Sequence, residues 1–338
     1  MHQHRRIRSA RRTFAWAAGG LLVCFMITLI CGETQHPEWY DRWYPTRRDC
    51  LKQSLADHPQ SALCLLLGSS RPALAYLPET LPPLYDRQGR SVLPFNFGQY
   101  GAGPLMNLML LDRLLSEGIR PDYLLVELLP SYLHINGERF LMERAGLRDA
   151  PVLTEQMNLL QFGYLYTKQR AKSLPSWLAK LGSPLRDPAF DRPVIAELMG
   201  GYGGPLLLMD EVTPLERQLR TAAAHRAVGQ VLQRYQITPL AEGCTQALIA
   251  RCREANIPLA FLLMPEAPLF QSWYNVDAQA KLSRFLDQLG DAGLTVYDAR
   301  NWLDESDTYD SHHTLRRGAE KFTARLGAEV LPDFLHSK

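Results

Sequence analysis

Cysteine is scarce and unpatterned. The chain has six in 338 residues, and none stands at metal-ligand or disulfide-framework spacing. Cys24 and Cys31 fall in one apolar run, Cys64 reads as a core side chain of a strand, and Cys50 has no evident partner. Cys244 and Cys252 lie eight apart on an expected helix, about 12 Å from one another, too far to bridge. A disulfide-stapled mini-protein and a thiolate metal site are therefore excluded. Strong net charge is also missing, at +2 overall. Five Arg and no acid occupy the first twelve residues, which leaves 32 Lys+Arg against 35 Asp+Glu in the rest. No polyanion-binding surface, and hence no nucleic-acid partner, is implied. There is no P-loop, and the NFGQYGAG run lacks the context of a dinucleotide fingerprint. No nucleotide, metal or other cofactor is expected. No internal repeat or low-complexity tract is present. At 46% hydrophobic and 21% charged, the chain has ample material for a core, and long disorder is excluded. Its length allows two domains, or one large domain with an insertion.

Charge is absent altogether from residues 13–32, TFAWAAGGLLVCFMITLICG. At 1.5 Å per residue this run spans about 30 Å, the thickness of a bilayer core. The Arg-rich 1–12 before it carries the bias of a cytoplasmic tail. The reading is a single-pass signal-anchor helix in the cytoplasmic membrane, with the amino terminus inside and residues 33–338 outside, in the periplasm. The rival is a cleaved signal peptide, since Arg11-Arg12-Thr13-Phe14 resembles a twin-arginine signal. No A-x-A site follows the run, however, and Ile30 stands where a lipoprotein site at Cys31 would want a small residue. A core helix and a reversed anchor are weaker alternatives, because nothing polar interrupts the run and the Arg bias opposes reversal. Residues 33–60 form a juxtamembrane linker, in which Trp39, Tyr40, Trp43 and Tyr44 either sit at the membrane–water interface or pack on the domain beyond.

Short apolar runs bounded by turn residues then alternate with helical patterns. Strands are expected at Ala62–Leu67, Val92–Phe97, Tyr123–Leu129, Leu259–Met264 and Leu294–Tyr297. Helices are expected at 102–117, 240–255, 276–291 and about 315–331. The alternation predicts an α/β domain over 61–338 with a parallel sheet and helices on both faces. The stretch 132–238 is too long for a loop and reads as a helical insertion or cap. It leaves the carboxyl end of the third strand, the edge where ligands bind in such sheets, so it is a candidate lid.

Three segments at that edge can carry chemistry. Ser70 in LLLGSSRP follows the first strand, where a hydroxyl stands beside unpaired helix N–H groups. The bland alternative is that Ser69 and Ser70 only cap the next helix. Asp310-Ser311-His312-His313 precedes the last helix. A carboxylate three residues from an imidazole can hold one ring nitrogen and leave the other as a general base. Otherwise Asp310 is a helix cap and both His are exposed. Asn96-Phe97-Gly98-Gln99-Tyr100-Gly101 follows the second strand, and its glycines let backbone N–H groups approach a developing oxyanion, if it is more than a Gly-rich turn. Glu266, after the fourth strand, either binds a substrate cation or hydroxyl or is a solvated loop carboxylate. Arg71 either holds an anionic group or pairs with a surface acid.

In this order along the chain, the three blocks resemble the SGNH/GDSL hydrolase superfamily. That resemblance implies a three-layer α/β/α, flavodoxin-like sheet and a Ser-His-Asp triad of Ser70, His313 and Asp310. Of the two adjacent histidines only His313 has the D-x-x-H spacing. Gly101 stands where the family has its oxyanion glycine. The family's Gly-x-Asn-Asp would follow YLLVELL, but the chain reads Leu129-Pro130-Ser131-Tyr132, so Ser131 takes the oxyanion Asn position. Losing one oxyanion donor costs ~10²–10³ in rate. Membrane-tethered members similar to the alginate O-acetylation proteins keep the Ser and the D-x-x-H while varying the middle blocks. The resemblance covers about 60–130 and 256–331. It implies a membrane-anchored serine esterase or O-acyltransferase acting outside the cytoplasm on an acylated cell-envelope glycan or small acyl ester. The missing Asn leaves an alternative open, a catalytically degenerate envelope glycan-binding module.

Overall fold

The computed structural model describes residues 2–35, 41, 43–135, 138–181, 202–204 and 208–337. The side chains of residues 2–10, 22, 28, 29, 31, 32, 34, 35, 135, 138–140 and 173–181 lie outside that description. Trp39 and Tyr40, and much of the expected insertion, also fall outside it.

The uninterrupted apolar runs form strands, because only a sheet covered on both faces can bury Leu, Val and Phe at successive positions. The strands of the sheet are β1 (Ala62–Leu67), the two-residue β2 (Leu84–Tyr85), β3 (Ser91–Asn96), β4 (Tyr123–Glu127), β5 (Leu259–Leu263) and β6 (Thr295–Asp298), of which β2 and β6 are the least buried. They make one sheet of order β2-β3-β1-β4-β5-β6, parallel except for β2 against β3. Register is set by pairs such as Leu65↔Phe95, Leu65↔Leu124 and Val126↔Phe261.

Helices α1 (His2–Gln35) and α2 (Trp43–Asp57) precede β1, α3 (Ser70–Ala75) follows it, and α4 (Pro104–Ser116) joins β3 to β4. After β4 come α5 (Pro130–Ile135), α6 (Glu138–Arg144), α7 (Ala150–Gln156), α8 (Leu159–Leu181), α9 (Pro214–Ala224) and α10 (Gln230–Gln233). Then α11 (Pro239–Glu254) leads into β5, and α12 (Pro268–Gln271) and α13 (Val276–Asp291) lie between β5 and β6. The last two are α14 (Arg316–Arg325) and α15 (Leu331–His336).

Alternation along each strand sends side chains into two separate cores. Leu63, Leu65 and Leu67 pack with α2, α4, α11 and α13 on one face. Ala62, Cys64 and Leu66 pack with α14 and α15 on the other. The chain leaves β1 toward β3 on one side and later returns to place β4 on its other side. The crevice at the carboxyl ends of β1 and β4 is therefore the switch point of the winding.

Residues 43–57 depart from the expected linker. They form α2, which buries Tyr44, Arg47 and Leu51 against the domain. Tyr44 meets Phe97 edge-on, and Trp43 lies 5.5 Å from the Tyr100 ring, so these two aromatics pack on the domain. Arg47 is fully buried, and burial lowers its pKa to about 10. Its Nη1 donates to the carbonyls of Asn96 and Gly203, both at 2.6 Å.

Among the described residues no helix is long and apolar enough to cross a membrane. Leu22, Thr28, Leu29, Cys31 and Gly32, within the uncharged run, have side chains outside the description. The described apolar side chains of α1 find little cover: Phe14, Trp16, Leu21, Val23, Met26, Ile27 and Ile30 are all exposed. The end of α1 is held. Glu33 Oε1 accepts from Arg170 Nε at 3.0 Å and from the Tyr166 hydroxyl, and Oε2 accepts from the Leu147 N–H at 2.6 Å.

Candidate active site

The Ser70 turn is built at the end of β1. Ser69 caps α3 by accepting the Arg71 N–H at 3.1 Å, which places Ser70 in the first helical turn. N–H groups there have no intrahelical acceptor. The turn is tightly packed. A Cβ on Gly68 would lie 2.6 Å from Glu127 Cβ, and one on Gly98 would lie 2.6 Å from Ala73 N. Only glycine lets strand, helix and the loop after β3 approach so closely. Gln99 N–H donates to Gly68 O at 2.7 Å and ties that loop to the turn.

The His-bearing segment is a hairpin. Thr308 bridges Thr314, and Tyr309 N–H donates to His313 O at 3.0 Å. Asp310 Oδ1 accepts the N–H groups of His313 at 2.8 Å and His312 at 3.2 Å, and closes the turn from inside. Asp310 therefore shapes this turn and does not cap α14, which starts at Arg316. Ser311 adopts the left-handed region at φ +72°, and its hydroxyl donates to Glu305 Oε2 at 3.0 Å. His312 is half-buried and packs against Phe270 and His313. Burial, with the neighbouring His313, lowers its pKa well below the usual imidazole range, so it is neutral at pH 7.

The two segments meet. Ser70 Oγ lies 2.7 Å from His313 Nε2, across 243 residues of chain, and His313 Nδ1 lies 2.7 Å from Asp310 Oδ2. Burial pushes the Asp310 pKa up, but His313, His312 and the backbone N–H outweigh it and hold the carboxyl well below its usual range. Asp310 is thus an ionised acceptor at neutral pH. The imidazole proton then sits on Nδ1, and Nε2 accepts from the Ser70 hydroxyl.

Gly101 lies in the loop after β3 with φ +74°. Ser131 is the second residue of α5 and is buried, and among the described residues no hydrogen bond joins its hydroxyl to Ser70, His313 or Asp310. The adjacent Tyr132 ring packs against Gly103 of the loop after β3. Asn96 serves the scaffold: Nδ2 donates to the Pro72 and Tyr76 carbonyls at 2.8 Å, and Oδ1 accepts from Gly98 N–H.

Arg71 and Glu266 correct the reading of a surface ion pair and a solvated carboxylate. Both are buried, 2% and 0% exposed, and they pair at 3.1 Å. Glu266 also accepts from the Tyr274 hydroxyl at 2.9 Å, and the Arg71 guanidinium lies over the Phe270 ring. The pair holds the start of α3 to the segment after β5. Glu127, at the end of β4, was hidden inside an apolar run. Its Oε2 accepts the Ser69 N–H at 2.5 Å. Burial pushes its pKa up, against the pull of Arg71, Ser69 and His313.

Part of the insertion crosses this rim. Arg220 of α9 lies over the Tyr309 ring, Thr221 Oγ1 is 3.4 Å from Ser311 Oγ, and Asp210 pairs with Arg316 at 2.5 Å. Tyr309 in turn stacks on His313, with centroids 5.5 Å apart.

Asp310, His312 and His313 offer three donor atoms within 4.8 Å of one another, enough to enclose a metal ion. His313 already spends both ring nitrogens on Ser70 and Asp310, so a metal there and the triad exclude one another.

A model of an uncharacterised family matches residues 232–335. That stretch holds β5, β6, Asp310 and His313 but not Ser70. Among curated proteins, none matches the sequence.

Proposed function

We propose that this chain is an SGNH-like serine esterase or O-acyltransferase, anchored by α1 and acting outside the cytoplasm on acyl esters of cell-envelope glycan. The observation that carries the reading is the continuous Ser70–His313–Asp310 chain, two contacts of 2.7 Å joining residues 243 apart in sequence. As Ser70 Oγ attacks the acyl carbonyl carbon, its proton passes to His313 Nε2. Asp310 stabilises the resulting imidazolium. The N–H groups of Ser70 and Gly101, with the Ser131 hydroxyl, hold the oxyanion. His313 returns the proton to the departing alcohol, leaving an acyl-serine. Water or a sugar hydroxyl then takes the acyl group, with His313 again as base. Whether water or a sugar hydroxyl reaches the acyl-serine decides hydrolysis or transfer, and Arg220 and Thr221 over the hairpin are the nearest part of the insertion to affect it.

The test is a fluorophosphonate probe on the full-length chain in detergent. One adduct is expected, at Ser70, and S70A takes none. A folded wild-type chain that stays unlabelled rejects the serine-enzyme reading. The anchor is supported by the exposed apolar side chains of α1 and the Arg-rich stretch before them. In spheroplasts, added protease is expected to digest residues 33–338. Protection of that portion would mean a reversed anchor.

The buried Ser131 in place of an amide favours a second reading, a glycan-binding module that keeps the fold without the rate. If S70A retains full glycan binding and full cellular function, that second reading stands.

A further inference from the structure

Ser70 is flanked by two clamped residues. Ser69 is tied to the end of β4 through Glu127, and Arg71 is tied to the segment after β5 through Glu266. A carboxylate at a fully buried strand end is costly, and a leucine there would pack without that penalty. What the acid supplies is reach. Glu127 Oε2 meets the Ser69 N–H at 2.5 Å, in the space that a side chain at Gly68 would fill: a Cβ there would stand 2.7 Å from the same oxygen. The groups facing this carboxylate are Ser69, Arg71, His313 and Tyr132; Oε2 bonds the Ser69 N–H, and Oε1 has no hydrogen-bond partner among the described residues.

We propose that Glu127 is a positioning residue for the nucleophile: reaching from β4 to the Ser69 N–H, it fixes the turn that aims the Ser70 hydroxyl at His313. This rests on the reading of Ser70 as nucleophile.

The rate of fluorophosphonate labelling of the full-length chain tests it, resolved by probe concentration into a binding constant and a maximal rate. E127Q keeps an acceptor oxygen at the same reach and loses the charge. E127D keeps the charge and falls one methylene short. The maximal rate of E127Q is expected within about threefold of wild type, while E127D and E127A fall roughly 10–100-fold with probe binding unchanged. A merely structural role would lower the folded fraction, read by circular dichroism, and leave the rate per folded molecule alone. Should E127D and E127A not fold, G68A displaces the same carboxylate with its new methyl and is expected to slow labelling equally. The proposal is overturned if E127D labels fast and E127Q slowly, which would make charge the operative property. It is also overturned if every folded variant, G68A included, labels at the wild-type rate. An unlabelled wild type is a separate result: it removes the serine-enzyme reading, and this proposal with it.

Discussion

Asp310→Asn is expected to lower the rate of acyl transfer, or of probe labelling, by about 10⁴ at neutral pH while the chain stays folded. The reason is local geometry. Oδ1 of Asp310 is pinned by two backbone donors, the N–H groups of His313 and His312. An asparagine must keep its carbonyl oxygen there, because its NH₂ cannot accept. The NH₂ therefore points at His313 Nδ1. That nitrogen has to become the acceptor, so the ring proton moves to Nε2 and faces Ser70. The imidazole keeps its place and loses its function as base. Asp310→Asn combined with H313A should be little slower than H313A alone, because the residues act as a unit. If Asp310→Asn retains more than a tenth of the wild-type rate, the carboxylate does not set the tautomer.

The same contacts link Asp310 to stability. Its pKa is depressed in the folded chain, so its contribution is present above the unfolded carboxylate value of about 3.9. It is lost as pH falls through the lower folded value. Asp310→Asn lacks that contribution at every pH, and its stability deficit should be largest near neutrality and shrink in strong acid.

What could be read from the sequence was whatever is encoded within a few residues. Strands β1, β3, β4, β5 and β6 lie within two residues of their apolar runs, because each run is mostly apolar and, in β1, β3, β4 and β5, mostly buried. β2 has only two residues, and its pairing with β3, not its own pattern, makes it a strand. Ser70 and the Asp310–His313 pair stand in short blocks and were visible. Glu127 was not, because a single acid in YLLVELL was absorbed into the strand reading. The charge itself was the available signal, since an ion in a buried strand requires a partner. Glu266 and α2 escaped for a different reason. The carboxylate pairs with an arginine 195 residues away, and Arg47 Nη1 donates to carbonyls 49 and 156 residues away. Local composition reads both as solvated, and only tertiary contact reverses that.

The largest stability effect is expected at Arg113, far from the triad in role. This α4 residue is 4% exposed. Its Nε and Nη2 grip the two oxygens of Asp149, both at 2.7 Å, its Nη1 donates to Asp41 Oδ2 at 2.5 Å, and Nη2 also reaches the Arg144 carbonyl at 3.0 Å. The guanidinium lies over the Tyr44 ring. Burial alone would lower its pKa, but the two carboxylates outweigh burial and keep it charged. One side chain thus joins α4, Asp41 two residues before α2, and residues 144–149 of the insertion. R113M preserves most of the volume, removes the ion-pair partner of the buried Asp41 and leaves the buried Asp149 only the exposed Arg148, 3.9 Å away. Breaking a buried pair from one side costs about 3–5 kcal/mol, whereas neutralising all members is close to neutral. R113M should therefore lower the thermal midpoint by roughly 10 °C, and R113M/D41N/D149N should recover most of that loss. A single variant within 1 kcal/mol of wild type by urea unfolding, or a triple variant no better than the single, would mean that the cation does not hold these three segments together.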